Sequence, residues 1–278
     1  MLRVRLKLRQ NKRALRLDAL TTNSKGVYVM DSDHLRTAAH GTSRRERRAT
    51  IRLVLASPFM LAGTAPGLRE AAAQALTKEA RDQLTPHQVI ELLKQGNERF
   101  RTGKPHAHDY LAQKRATAGG QYPAAAILSC IDSRAPAEII LDTAIGETFN
   151  ARVAGNIVND DLLGSLEFAC AAAGAKAILV MGHTACGAIK GAIDNVELGH
   201  LTALLEKVKP AVAATTFTGE RTSKNAAFVD AVAETNVRRA VADIRSRSTV
   251  LDGLAKEGKV MIVGSMYHLL GGRVEFLT

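Results

Sequence analysis

Two stretches decide how this chain folds: AAAILSCIDSRAP at residues 124–136 and AILVMGHTACG at residues 177–187. Ala124 to Ser129 is a short, mainly apolar run that ends in Cys130, and Ala177 to Met181 is a second that ends at Gly182-His183. Runs of this length and make-up read as buried strands. Between and around them the pattern changes. Thr148 to Ala154 suggests another strand, and Leu162 to Ala173 a helix stopped by Gly174. A helical stretch starts near Ala185, and further helices fall around Leu201–Val208 and Ala226–Ile244. Val260 to Val263 reads as a fourth strand and Val274 to Leu277 as an edge strand. Upstream, Thr85-Pro86 is an N-cap followed by Pro at the first turn, and Val89, Leu92, Leu93 and Phe100 recur at helical spacing up to Gly103.

Strands alternating with helices predict an α/β domain with a mainly parallel sheet flanked by helices. Such folds bind ligands beyond the carboxyl ends of their strands. Cys130 and His183 both fall at such ends.

Composition narrows the function classes. The net charge of +11 suggests nucleic acid until it is divided along the chain. Residues 1–75 hold 15 Lys/Arg against 5 Asp/Glu, and residues 76–278 hold 23 against 22. A nucleic-acid binder carries its basic footprint on the folded domain, so this distribution argues against such a partner. No uninterrupted apolar run reaches the length of a membrane span, and no membrane insertion of the mature chain is expected. Three cysteines are too few for a disulfide framework. Cys170, inside an apolar helical run, reads as packing.

The first 75 residues read as a basic leader and residues 76–278 as the folded domain. Arg47-Arg48-Ala49-Thr50-Ile51-Arg52 resembles a twin-arginine signal, although Thr50 stands where a large apolar residue is common. The apolar stretch Leu53–Leu68 and the small-residue site Ala73-Gln74-Ala75 follow in the order an export signal requires. Met30 is an alternative start, which leaves residues 1–29 upstream of it. The expected location is the periplasm; the alternative is a cytoplasmic protein with a basic tail.

The chemistry lies in Cys130-Ile131-Asp132-Ser133-Arg134 and His183-Thr184-Ala185-Cys186. At a strand end the chain is turning, so Cys130, Asp132 and Arg134 can converge on one pocket. A three-residue spacing entering a helix brings His183 and Cys186 within reach of one ion. Two thiolates and an imidazole suit Zn²⁺ in tetrahedral geometry, and three protein ligands leave the open position of a catalytic site. Each motif alone is weak; the pair, each following an apolar strand, is much more specific.

Cys-x-Asp-x-Arg followed about fifty residues later by His-x-x-Cys resembles the signature of β-class carbonic anhydrases. CIDSRAP (130–136), ARVAGNIV (151–158), GSLEF (164–168), GHTACGAIKGA (182–192) and the carboxyl end from Val263 to Leu277 agree with it. The resemblance spans about residues 83–278 and none of the leader. It implies one zinc per chain held by Cys130, His183 and Cys186, and reversible hydration of carbon dioxide to bicarbonate by zinc-bound hydroxide. Asp132 would orient that hydroxide and Arg134 would keep Asp132 ionised and off the metal; if the pair breaks, Asp132 becomes a fourth metal ligand. Gly155 and Asn156 would form a tight turn beside the pocket. A homodimer or homotetramer is implied, joined through an amino-terminal helical arm at about Thr85–Arg101. The chain departs from many relatives in having Thr143 where they carry Gln. It also has no Trp, unlike the subgroup whose bicarbonate inhibitory site uses one. Two alternatives stay open: hydrolysis of carbon disulfide or carbonyl sulfide with the same ligands, and a non-catalytic zinc-binding scaffold.

Overall fold

A computed structural model of the chain describes residues 20–22, 28–30 and 76–277. Strands β1 (Leu20–Thr22) and β2 (Tyr28–Met30) pair antiparallel within the leader, in a unit of their own. The expected export signal, at residues 47–75, falls outside the described residues.

From residue 76 onward the chain forms a five-stranded sheet. Its strands are β3 (Ala125–Ser129), β4 (Thr148–Arg152), β5 (Ala177–His183), β6 (Met261–Tyr267) and β7 (Val274–Leu277), in the order β4-β3-β5-β6-β7. The first four run parallel and β7 pairs antiparallel on β6. All residues of β3 and β5 are buried, which is why both read as near-continuous apolar runs rather than alternating ones.

One apolar layer packs the face carrying Leu128, Ile178 and Val180 against Phe228, Val232 and Val237 of the long helix Ala226–Arg247. The other packs Ile127, Leu179 and Met181 against Val89, Ile90 and Leu93 of the helix Pro86–Arg101. In chain order the helices are α1 (Lys78–Gln83), α2 (Pro86–Arg101), α3 (Tyr110–Thr117), α4 (Ala137–Ile140), α5 (Asp160–Glu167), α6 (Gly187–Ile193), α7 (Gly199–Glu206), α8 (Lys209–Ala214), α9 (Ala226–Arg247) and α10 (Thr249–Lys256).

Helix α2 starts where expected, with a reciprocal capping box between Thr85 and Gln88. Its Asn97 is buried and donates to the carbonyls of Ile140 and Gly272 while accepting from the Val274 N–H, so it ties the helix to α4 and to β7. Leu92, part of the helical apolar pattern, is 48% exposed: it sits on the rim of an apolar groove of about 650 Å³ that also includes Leu76, Leu84 and Val89. The expected helix at 162–173 starts two residues earlier, capped by Asn159, and continues through a π turn at Phe168–Ala172 to Gly174, whose φ is 81°.

Beneath the segment joining α4 to β4 lies a buried ionic cluster. Asp142, with a side chain 2% exposed, accepts from Arg99 Nε at 2.5 Å, from His108 Nε2 at 2.9 Å and from the His106 N–H at 3.1 Å. Burial pushes its carboxyl up, but Arg99, His108 and the His106 N–H outweigh it and hold it below its ordinary value. A depressed carboxyl contributes stability above its unfolded pKa of about 3.9 and loses it as pH falls through the folded value. Thermal unfolding followed from pH 7 to pH 3 should therefore show a loss in the wild type that Asp142→Asn lacks. The variant itself should start about 1–3 kcal/mol less stable at pH 7. Parallel pH profiles for the two proteins would remove Asp142 from the acid transition.

Candidate metal centre

Parallel pairing sets the site. Ser129 of β3 is in register with Met181 of β5, so the residues that follow, Cys130 and Gly182-His183, emerge together at the carboxyl edge of the sheet. Past His183 the chain makes a sharp turn. Thr184 donates its N–H to the Tyr267 carbonyl and accepts from the Leu269 N–H on its hydroxyl, each at 3.0 Å, which fastens the turn to the end of β6. Ala185 takes φ 54°, and Cys186 becomes the N-cap of α6.

Among the described residues, Cys130, His183 and Cys186 form a group whose ligand atoms all lie within 4.8 Å of one another. All three are nearly inaccessible. His183 Nδ1 lies 2.9 Å from the Thr184 carbonyl; a carbonyl only accepts, so Nδ1 carries the proton. Nε2 is then left with its lone pair, buried and without a hydrogen-bond partner. A buried polar atom with no partner is costly unless something else fills the place.

The sulfurs show the same demand. A hydrogen bond from Cys186 holds the Cys130 thiol well below its ordinary value against the effect of burial, helped by the Gly155 N–H, which stands 3.4 Å from Sγ. Cys186 is pushed up by that same bond to Cys130 and by burial, while the N–H groups of Ile189 and Ala188 at the start of α6 oppose the rise. Burial works against a charged His183, yet the neighbouring Cys130 sulfur outweighs it and holds the ring above its ordinary value. Two sulfurs and an unpartnered imidazole nitrogen in a dry pocket are a donor set for a soft or borderline cation, and these residues fit one.

Asp132 stands beside the trio and outside it. Its Oδ2 is 3.8 Å from His183 Nε2, but both carboxylate oxygens are taken by Arg134: Nε and the backbone N–H donate to Oδ1 at 2.9 Å, and a terminal nitrogen to Oδ2 at 2.8 Å. The guanidinium holds the Asp132 carboxyl well below the usual carboxylate range. Arg134 is more than half exposed while Asp132 is mostly covered, so the pair lies at the mouth of the pocket. Gly155 and Asn156 form the expected tight turn, with φ of 67° and 40°. Thr143 lies elsewhere, lining the apolar groove with Ala125 and Thr148 at the opposite ends of β3 and β4.

Three residues that hold the site lie outside the two cysteine motifs. Arg152, on β4, donates to the carbonyls of Cys130 at 2.9 Å and Asp132 at 2.6 Å. Asp230 and Asn236, on α9, bond the Ala185 N–H and the Gly155 carbonyl. Arg152 had a signal, since it lies in the strand beside the Cys130 loop; the other two had none.

The carbonic anhydrase family model matches residues 125–274. Carbonic anhydrase 2 of Mycobacterium tuberculosis is 36% identical over 194 residues, covering 68% of this chain and 91% of that protein. The chain belongs to the carbonic anhydrase family. Its fold places it in the β class. A β-carbonic anhydrase of Aspergillus fumigatus superposes with a TM-score of 0.52 at 26% identity, over 59% of this chain and 79% of that one. One of two tetrameric β-carbonic anhydrases of Sordaria macrospora does so with a TM-score of 0.53 at 25% identity, over 68% of this chain and 97% of that one.

In this member of the family the third cysteine is set apart: burial pushes the Cys170 thiol up to about 12, and it lies in the π turn after α5, in the same apolar layer as Leu128 and Ile178. Cys170→Ala should keep full metal uptake, whereas Cys130→Ser should lose most of it. Metal analysis of both proteins after equilibration with zinc and gel filtration checks this; metal loss from Cys170→Ala would contradict the assignment.

Proposed function

We propose that the protein is a zinc-dependent carbonic anhydrase that interconverts carbon dioxide and bicarbonate. The observation that carries this reading is the buried Cys130–His183–Cys186 trio with its unpartnered Nε2, flanked by a carboxylate that Arg134 keeps ionised. The same three residues would hold the zinc, which would supply the Lewis acidity that makes water a nucleophile near neutral pH. Asp132 would accept a hydrogen bond on a carboxylate oxygen from a water held there and so orient it toward the carbon of the substrate. Arg134 keeps Asp132 anionic and, by engaging both oxygens, withholds it from the trio. The apolar surroundings of the two cysteines exclude other water, and an uncharged substrate enters such a pocket with little desolvation.

Stopped-flow carbon dioxide hydration with metal-quantified protein tests the reading. The expected result is about one zinc per chain, activity that requires it, and loss of both in Cys186→Ser. Arg134→Ala should lower the rate about ten- to a hundredfold. Zinc-loaded protein inactive on carbon dioxide but active on carbon disulfide or carbonyl sulfide would move the substrate to that class. No activity on any of them would leave a zinc-binding scaffold.

We infer further that the protein assembles as a homodimer or homotetramer and is exported to the periplasm. Assembly is supported by the exposed Leu92 on the rim of the apolar groove, and by the tetrameric relatives from S. macrospora. A fully active monomer in light scattering would exclude it. Export is supported by the order of basic, apolar and small-residue segments in residues 47–75. Amino-terminal sequencing of protein from its own host should find a chain starting near Leu76.

A further inference from the structure

Helix α9 reaches the metal centre at two points. Asp230, on its second turn, accepts the Ala185 N–H at 2.8 Å. Ala185 is the residue between His183 and Cys186 that takes φ 54°, a left-handed conformation that costs a residue with a Cβ about 1–2 kcal/mol. Six residues further on, buried Asn236 donates Nδ2 to the Gly155 carbonyl at 2.8 Å. Gly155 is itself left-handed, with φ 67°, and it is the residue whose N–H points at Cys130 Sγ. One side chain therefore holds the turn that spaces His183 from Cys186, and the other holds the backbone donor to the remaining sulfur.

Neither contact would reach its target if the helix stood at an ordinary distance. Val237, next to Asn236, presses into a notch formed by glycines on neighbouring strands. A Cβ on Gly182 would stand 2.5 Å from Val237 Cγ2, and one on Gly264 would stand 2.8 Å from Val237 Cγ1. The two glycines occur where β5 and β6 lie side by side in parallel register, so both must lack a side chain for the helix to come this close.

We propose that Asp230 and Asn236 are positioning residues of the metal centre, through which α9 sets the geometry of both cysteine-bearing loops. Neither touches the reacting atoms. The proposal rests on the reading that Cys130, His183 and Cys186 bind a metal. It predicts that the two residues act on affinity and on the electronic character of the bound metal more than on the stability of the fold. Outer partners of metal ligands commonly contribute ten- to a hundredfold in affinity.

The test uses the full chain and four variants: Asp230→Ala, Asp230→Asn, Asn236→Ala and the double variant Asp230→Ala/Ala185→Gly. Zinc affinity is measured by chelator competition, the sulfur-to-metal charge-transfer absorption on the cobalt(II)-loaded protein, and thermal unfolding on the metal-free protein. Asp230→Ala and Asn236→Ala should each weaken zinc binding about ten- to a hundredfold. Asp230→Asn keeps an oxygen to accept the Ala185 N–H and should bind like the wild type. The double variant should regain part of the lost affinity, because glycine takes the left-handed turn without strain. Asn236→Ala should also shift the charge-transfer band, since the Cys130 sulfur loses a fixed donor.

Wild-type affinity and an unmoved band in both alanine variants would overturn the proposal. So would losses that Asp230→Asn shares, or that merely follow an equal loss of metal-free stability. Should Asn236→Ala not fold, the three Asp230 proteins decide the matter alone. A wild-type chain that takes up neither zinc nor cobalt would instead refute the metal reading itself, and the positioning role with it.

Discussion

The parallel pairing of β3 with β5 is the constraint on which the rest of the molecule depends. Adjacent strands lie about 4.8 Å apart, and register places Ser129 beside Met181. Two chain segments separated by some fifty residues therefore end at the same level and deliver a sulfur and an imidazole to one small volume. Only a sharp turn is then needed to bring Cys186 back to them, and the chain makes it by putting Ala185 into the left-handed region. Had the pairing slipped by one residue, the side chains would have changed faces and the trio could not form.

That convergence creates an electrostatic demand which shapes the surroundings. Two sulfurs and an unpartnered nitrogen are held where water does not reach. Backbone donors offset part of the cost of charge there: the Gly155 N–H faces one sulfur and the start of α6 faces the other. An arrangement that gathers anionic donors in a dry pocket is stable when a cation completes it. Asp132 stands at the rim, and Arg134 takes up both of its carboxylate oxygens. The dyad thus stands, paired, on the side of the centre that faces solvent.

Support for the centre comes from elements distant in the chain. Arg152 fastens the Cys130 loop to β4, and α9, pressed against Gly182 and Gly264, reaches both ligand loops. The close packing of that helix and the placement of the ligands are one structural fact, because the same turns of α9 that fill the core carry the polar groups that hold the site.

The central strands, the long helix α9, the capped start of α2 and the three residues of the candidate metal centre were legible in the linear chain. Each of these rests on local pattern: strands buried on both faces read as apolar runs, a capping box spans four residues, and His-x-x-Cys is a turn and the start of a helix. Helices α1, α3, α4, α8 and α10 were not legible. They have between four and eight residues, and helices so short exist because packing stabilises a turn that propensity alone would not. Leu92 fits the apolar stripe of α2 and nevertheless lies exposed, since periodicity shows which side of a helix is apolar but not how much of that side the same chain covers. The sequence by itself determined the candidate donor set, because residue types and their spacing are local properties. Only the tertiary structure decided which residues hold that chemistry in place, because Arg152, Asp230 and Asn236 meet the site through the stacking of a helix on a sheet, and that distance is written in no single stretch of the chain.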